Sequence, residues 1–97
     1  MITKDNILTT LAGLKPELAH QYRVTQLALA GSFARGEATE QSDIDIVADF
    51  HGIDLFDLVD IRELFQKHLG KKVDVIVLSP YMNPYLKDKI EKEAIYV

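Results

Sequence analysis

Residues 42–78 read SDIDIVADFHGIDLFDLVDIRELFQKHLGKKVDVIVL, and this stretch decides the fold. Asp43 to Phe50 carries Ile44, Ile46 and Val47, the β-branched apolar bulk of a strand. Leu55, Leu58, Ile61, Phe65 and Leu69 then recur at steps of three and four, which predicts an amphipathic helix, and Gly70 supplies its stop. Lys72 to Leu78, with Val73, Val75, Ile76 and Val77, is a second strand. A connection holding a whole helix joins parallel neighbours, so these two strands are expected side by side and parallel.

Upstream, Val24 to Ala30 reads as a strand. Gly31-Ser32 ends it, and one or two helical turns are expected from Ser32 to Gly36. The link on to Asp43 is short. If Gly31-Ser32 and Asp43 serve one site, the first two strands must run antiparallel. Ile7, Leu11, Leu14 and Leu18 give one apolar helix face before them. Gly13 and Pro16 interrupt that run, and proline disrupts a helix interior. Two short helices are therefore predicted, Thr3 to Ala12 and Pro16 to Tyr22. Downstream, Asn83-Pro84 is a cap and first-turn proline for a helix from Pro84 to Glu93. Ala94 to Val97 can add a short edge strand. The expected fold is α/β (α+β): a small mixed sheet of three to four strands with helices packed on it, in a single domain over residues 1–97.

The hydrophobic fraction of 47% suits a globular chain and is too high for a disordered one. No apolar run reaches the roughly 18 residues of a membrane span, and no signal-peptide pattern opens the chain. Cysteine is absent, which excludes disulfides and thiolate metal sites. A cytoplasmic location is expected. The net charge is −4 with scattered lysines. That argues against direct nucleic-acid binding, which relies on clustered Lys and Arg.

Three features carry chemistry. Asp43 and Asp45 lie two apart on a strand, so both carboxylates project from one face. Carboxylates that close repel unless a cation or proton intervenes, and Mg²⁺ prefers such oxygens. Asp74 interrupts an apolar strand, where a charge is costly unless paired or bound to metal. The parallel crossover brings it towards Asp43 and Asp45. Gly31-Ser32-Phe33-Ala34-Arg35-Gly36 is a strand-to-helix bend that lets phosphate oxygens approach the backbone. Arg35 adds a charge-assisted donor. Each feature alone has a plainer reading: a strand-initiating turn, a surface aspartate on an edge strand, an ordinary bend. Their convergence has none.

Taken together, Gly31-Ser32-Phe33-Ala34-Arg35-Gly36, Ser42-Asp43-Ile44-Asp45-Ile46 and Val73-Asp74-Val75-Ile76 resemble the signature of the minimal nucleotidyltransferases (MNT), within the polymerase-β-like nucleotidyltransferase superfamily. The resemblance runs from the first helix to Tyr96. It implies a palm-like core in which Asp43 and Asp45 bind the Mg²⁺ that holds ATP, and Asp74 completes the metal site and helps activate the acceptor hydroxyl. It implies nucleotide contacts from Gly31, Ser32, Arg35, Gly36 and Ser42, with Gly31 and Ser32 on the β and γ phosphates. MNT proteins commonly pair with HEPN toxins as antitoxins. The resemblance therefore implies transfer of AMP to a tyrosine of a HEPN ribonuclease, within a hetero-oligomer of the two. The short chain leaves no room for an acceptor-binding domain, which favours a protein acceptor over a small molecule. A non-catalytic module that neutralises its partner by occlusion is the alternative.

Other residues are read as structural. His20, His51 and His68 share no metal-ligand spacing. Asp49 lies far along the strand from Asp43 and Asp45. The run Lys87-Asp88-Lys89-Ile90-Glu91-Lys92-Glu93 reads as a solvated helix face.

Overall fold

The computed structural model describes residues 2–50, 52 and 54–97; the reading of His51 lies outside them. In order, the elements are α1 (Lys4–Tyr22), β1 (Val24–Ala30), α2 (Gly31–Arg35), β2 (Ile44–Phe50), α3 (Leu55–Leu69), β3 (Val73–Val77), α4 (Pro84–Glu93) and β4 (Ile95–Tyr96). The sheet order is β3-β2-β1-β4. β1 and β2 are antiparallel, β2 and β3 parallel, and β4 pairs antiparallel with β1. The expected mixed sheet is therefore present, with β4 as its short edge.

The two faces of the sheet are covered unequally. On one, Leu27, Leu29, Ile44, Ile46, Ala48 and Val73 pack against Ile7, Leu11, Leu14 and Leu18 of α1 and Ile61, Phe65 and Leu69 of α3. On the other, Ala28, Ala30 and Val47 form a smaller cluster under Ile90 of α4, with Ile76, Leu78 and Ala94 around it. The carboxylates of Asp45 and Asp74 project from this thinner side.

α1 differs from expectation. It is one continuous helix with Pro16 inside it, where two short helices were predicted. The reason is energetic. An interior proline costs about 3 kcal/mol. Four buried side chains, Ile7, Leu11, Leu14 and Leu18, hold both halves on the sheet, each contributing roughly 1.5–3 kcal/mol. Pro16 and Gly13 sit on the exposed side, where neither crowds the core. Thr3 caps the start: its hydroxyl accepts from the Asn6 N–H at 3.1 Å.

α3 follows its periodicity from Ile61 onward. Asp54 caps it by accepting from the Asp57 N–H at 2.9 Å, and Gly70, at φ +67°, ends it. Leu55, read as part of the buried stripe, is 72% exposed instead. It stands in the first turn, at the rim of an open hollow beside Asp74 and Val75 of β3.

Replacing Pro16 with Ala restores an N–H donor to the turn of α1 at a position with no buried neighbours to disturb. Pro16→Ala is expected to raise stability by about 1–3 kcal/mol, read as a higher midpoint in urea denaturation with an unchanged slope.

Candidate functional site

Strand register builds the site. Ala30, the last residue of β1, pairs with Asp45 of β2, and Asp45 pairs with Asp74 of β3. In-register neighbours on parallel strands project from the same face. Asp45 alternates with Val47 on the α4 side, and Asp74 with Ile76, so both carboxylates leave the sheet on that side. Asp43 lies just before β2, at its mouth.

The bend after β1 closes on this row. Gly31 has φ +69°, and a Cβ there would collide with the Asp45 carboxylate, lying only 3.0 Å from its Cγ. The Asp45 side chain therefore rests against a bare Cα, and any larger residue would push the two apart. Ser32 follows in α2, where its carbonyl accepts from the Glu37 N–H at 2.9 Å.

Electrostatics confirm the convergence of the aspartates. The Asp45 carboxyl is pushed above the ordinary aspartate value, first by partial burial, then by the charges of Asp74 and Asp43; Arg35 opposes the shift. An acid raised by two like neighbours gains most when a cation joins them. Asp43 already meets one, the Lys72 ammonium at 3.6 Å from its Oδ2. Lys72 was not singled out from the sequence. Its place depends on the β2–β3 register: Ile44 pairs with Val73, which sets Lys72 opposite Asp43.

A cleft of about 330 Å³ opens beside this row, lined by Gly31, Arg35 and Asp45 on one wall. Leu86, Lys89, Ile90 and Glu93 of α4 form the other wall, and Ile76 and Met82 complete it. Arg35 crosses between walls: its Nε donates to Glu37 at 3.1 Å and its Nη1 to Glu93 at 3.4 Å. Asp74 instead borders a separate hollow with Leu58, Val59 and Arg62 of α3. Gly36, at φ +75°, closes α2, and its N–H donates to the Phe33 carbonyl. The Ser42 hydroxyl accepts from the Thr39 N–H at 2.9 Å, which shapes the turn presenting Asp43. His20 and His68 are exposed and remote in role.

The donor set fits a hard divalent cation. Oxygen ligands stand on two adjacent strands, and a glycine leaves room beside one of them. Among the described residues no three acidic or histidine side chains alone form an ion-holding group.

A family model described as the nucleotidyltransferase domain matches residues 11–97. The chain belongs to this family. Among curated relatives, this nucleotidyltransferase is 34% identical over 98 positions to the protein adenylyltransferase MntA of Thermococcus cleftensis, covering 100% of this chain and 98% of that one. It is 40% identical, over the full length of both, to a Methanocaldococcus jannaschii protein provisionally named a protein adenylyltransferase. Among solved structures it superposes on a provisionally assigned minimal nucleotidyltransferase with a TM-score of 0.82 at 26% identity, covering 97% of this chain and 95% of that one. It shares its fold, at a TM-score of 0.70 and 18% identity, with a toxin-antitoxin crystal structure containing AMP-PNP, covering 98% of this chain and 72% of that one. The minimal nucleotidyltransferase expected from the sequence is thus the family found.

Two outcomes follow for the nucleotidyltransferase. Gly31→Ala, which combines a positive φ with the Asp45 contact, should cost about 1–3 kcal/mol. Gly36→Ala, at a similar φ in open space, should cost about 1 kcal/mol; equal losses in denaturant titration would mean Asp45 does not press on Gly31. The second outcome concerns pH. A carboxyl whose folded value is raised stabilises the fold below its unfolded value, and that stability is lost as pH rises through the folded value. Without divalent cations, Asp45→Asn should therefore raise Tm at pH 7 by up to about 4 °C, the shift being small because Asp45 is partly solvated. The gain should vanish below the ordinary value of 3.8.

Proposed function

We propose that this nucleotidyltransferase is a protein adenylyltransferase that uses ATP and Mg²⁺ and acts as an antitoxin. Its acceptor is a tyrosine of a HEPN-type ribonuclease toxin, held in a hetero-oligomer. The observation that carries the reading is the row formed by the Gly31 bend, Asp45 and Asp74, with Asp43 at its mouth. Support for a protein acceptor comes from the MntA relative at 34% identity and full coverage of this chain. The antitoxin role rests on the resemblance to MNT proteins.

Asp43 and Asp45 would hold Mg²⁺ together with triphosphate oxygens, and Asp74 would complete that set on the acceptor side. Bound there, the cation would neutralise charge on the attacking and leaving oxygens. Gly31 and Ser32 would orient the β and γ phosphates, with Arg35, Gly36 and Ser42 shaping or touching the same nucleotide. The acceptor's phenolic oxygen forms a bond to the α-phosphorus, and the bond from that phosphorus to the bridging oxygen of pyrophosphate breaks. Asp74, the most exposed of the three, would draw the phenolic proton as the bond forms. AMP stays on the tyrosine and pyrophosphate leaves. Positioning and charge neutralisation supply most of the acceleration in such transfers.

The test incubates this chain with a candidate HEPN-type toxin, ATP and Mg²⁺ and then weighs the toxin intact. Addition of AMP mass to the partner is expected. Asp43→Ala with Asp45→Ala should lower the rate at least about 10³-fold, and chelation of Mg²⁺ should do the same. An unmodified partner after exposure to the intact enzyme would defeat the proposal. Full neutralisation of the toxin by the double variant would point to occlusion instead.

A further inference from the structure

Helix α4 contributes more to the cleft than a wall. Leu86, Lys89, Ile90 and Glu93 follow the spacing i, i+3, i+4, i+7, one stripe of a helix, and this stripe lines the cleft. The charged run of α4 is thus divided. Asp88 and Lys92 pair with each other at 2.9 Å, away from the stripe and open to solvent. Lys89 and Glu93 stand on the cleft side, Lys89 exposed and Glu93 half-buried.

Their situations differ. Glu93 is engaged by the Arg35 guanidinium. Lys89 makes no ion pair among the described residues, although Glu93 stands one turn away. Of the described residues lining the cleft, Arg35 and Lys89 are the two cations, and they stand on opposite walls. Asp45 and Glu93 balance them in the lining, Asp43 beside it is met by Lys72, and Asp74 adds a further negative charge nearby. A cleft so charged repels a polyanion unless side-chain cations add to any bound metal. An ammonium is a compact charge on a flexible stem, suited to phosphate oxygens approached from a distance. The apolar neighbours Leu86 and Ile90 strengthen any such contact by thinning the water around it.

We infer that Lys89 is a nucleotide-binding residue, contacting the polyphosphate of a nucleoside triphosphate from the wall opposite Gly31 and Asp45. The inference rests on the reading of this cleft as the nucleotide site. Lys89 faces Arg35 across the bound phosphates and acts on affinity for them, leaving the nucleoside untouched.

The experiment is isothermal titration of the full chain with ATP and, separately, with AMP, both in Mg²⁺. Lys89→Ala should weaken ATP binding about 10-fold, the loss of one charge-assisted contact, and leave AMP binding within about two-fold. Lys89→Arg should restore most of the affinity. Lys92→Ala, on the outer face of the same helix, should bind as the unmodified chain does. If Lys89→Ala binds ATP unchanged while the intact chain binds it normally, Lys89 is a solvated surface residue and only this inference falls. Equal loss of ATP and AMP affinity would make its role structural and overturn it too. If the intact chain binds no ATP, both this inference and the nucleotide-site reading fail.

Discussion

The Asp45 carboxylate lying against the Cα of Gly31 is the contact on which the site depends. It joins a bend from one strand to an acid from the next, with no side chain between them. Antiparallel pairing brings the end of β1 to the start of β2, and parallel pairing then sets Asp74 level with Asp45. The row of acids is thus a property of register. A shift by one residue would turn Asp45 into the core and Ile44 or Ile46 out of it, so the buried isoleucines fix the acids in place.

Much of this was readable in the residues. The periodicity of Ile61, Phe65 and Leu69, ended by Gly70, announced α3, and Asn83-Pro84 announced α4 to the residue. The convergence of the aspartates followed from the crossover rule once a helix was placed between two strands. Other features were hidden because they depend on competition between local and tertiary terms. Pro16 argues for a break, and only the burial of both flanking apolar turns shows that the helix continues. Lys89 looks like one charge among six in its run, because the rotation of α4 about its axis is set by Ile90 packing on the sheet. Lys72 required the β2–β3 register. Gly36 and Ser42, read as nucleotide contacts, are seen to hold turns, work that their motif positions do not distinguish from ligand binding.

The arrangement also shows where the fold gives up stability. The face carrying α1 and α3 is packed with large aliphatic side chains. The opposite face is floored by Ala28, Ala30 and Val47. Small residues there leave space above the sheet, and three acids sharing one field raise the folded state's energy whenever no cation is present. Both features cost burial or charge repulsion, and both border the cleft that we propose takes the triphosphate.

Helix α4 has no fully buried residue, and it is tied down by the two-residue pairing of β4 and the Arg35–Glu93 bridge. The acids, by contrast, are rooted at or beside β2, a central strand. Rigidity and looseness are therefore assigned to opposite sides of one chamber. The acids are anchored in the interior of the sheet, while the helix facing them is held at its C-terminal end. Amide exchange should be slow in β2 and fast in α4.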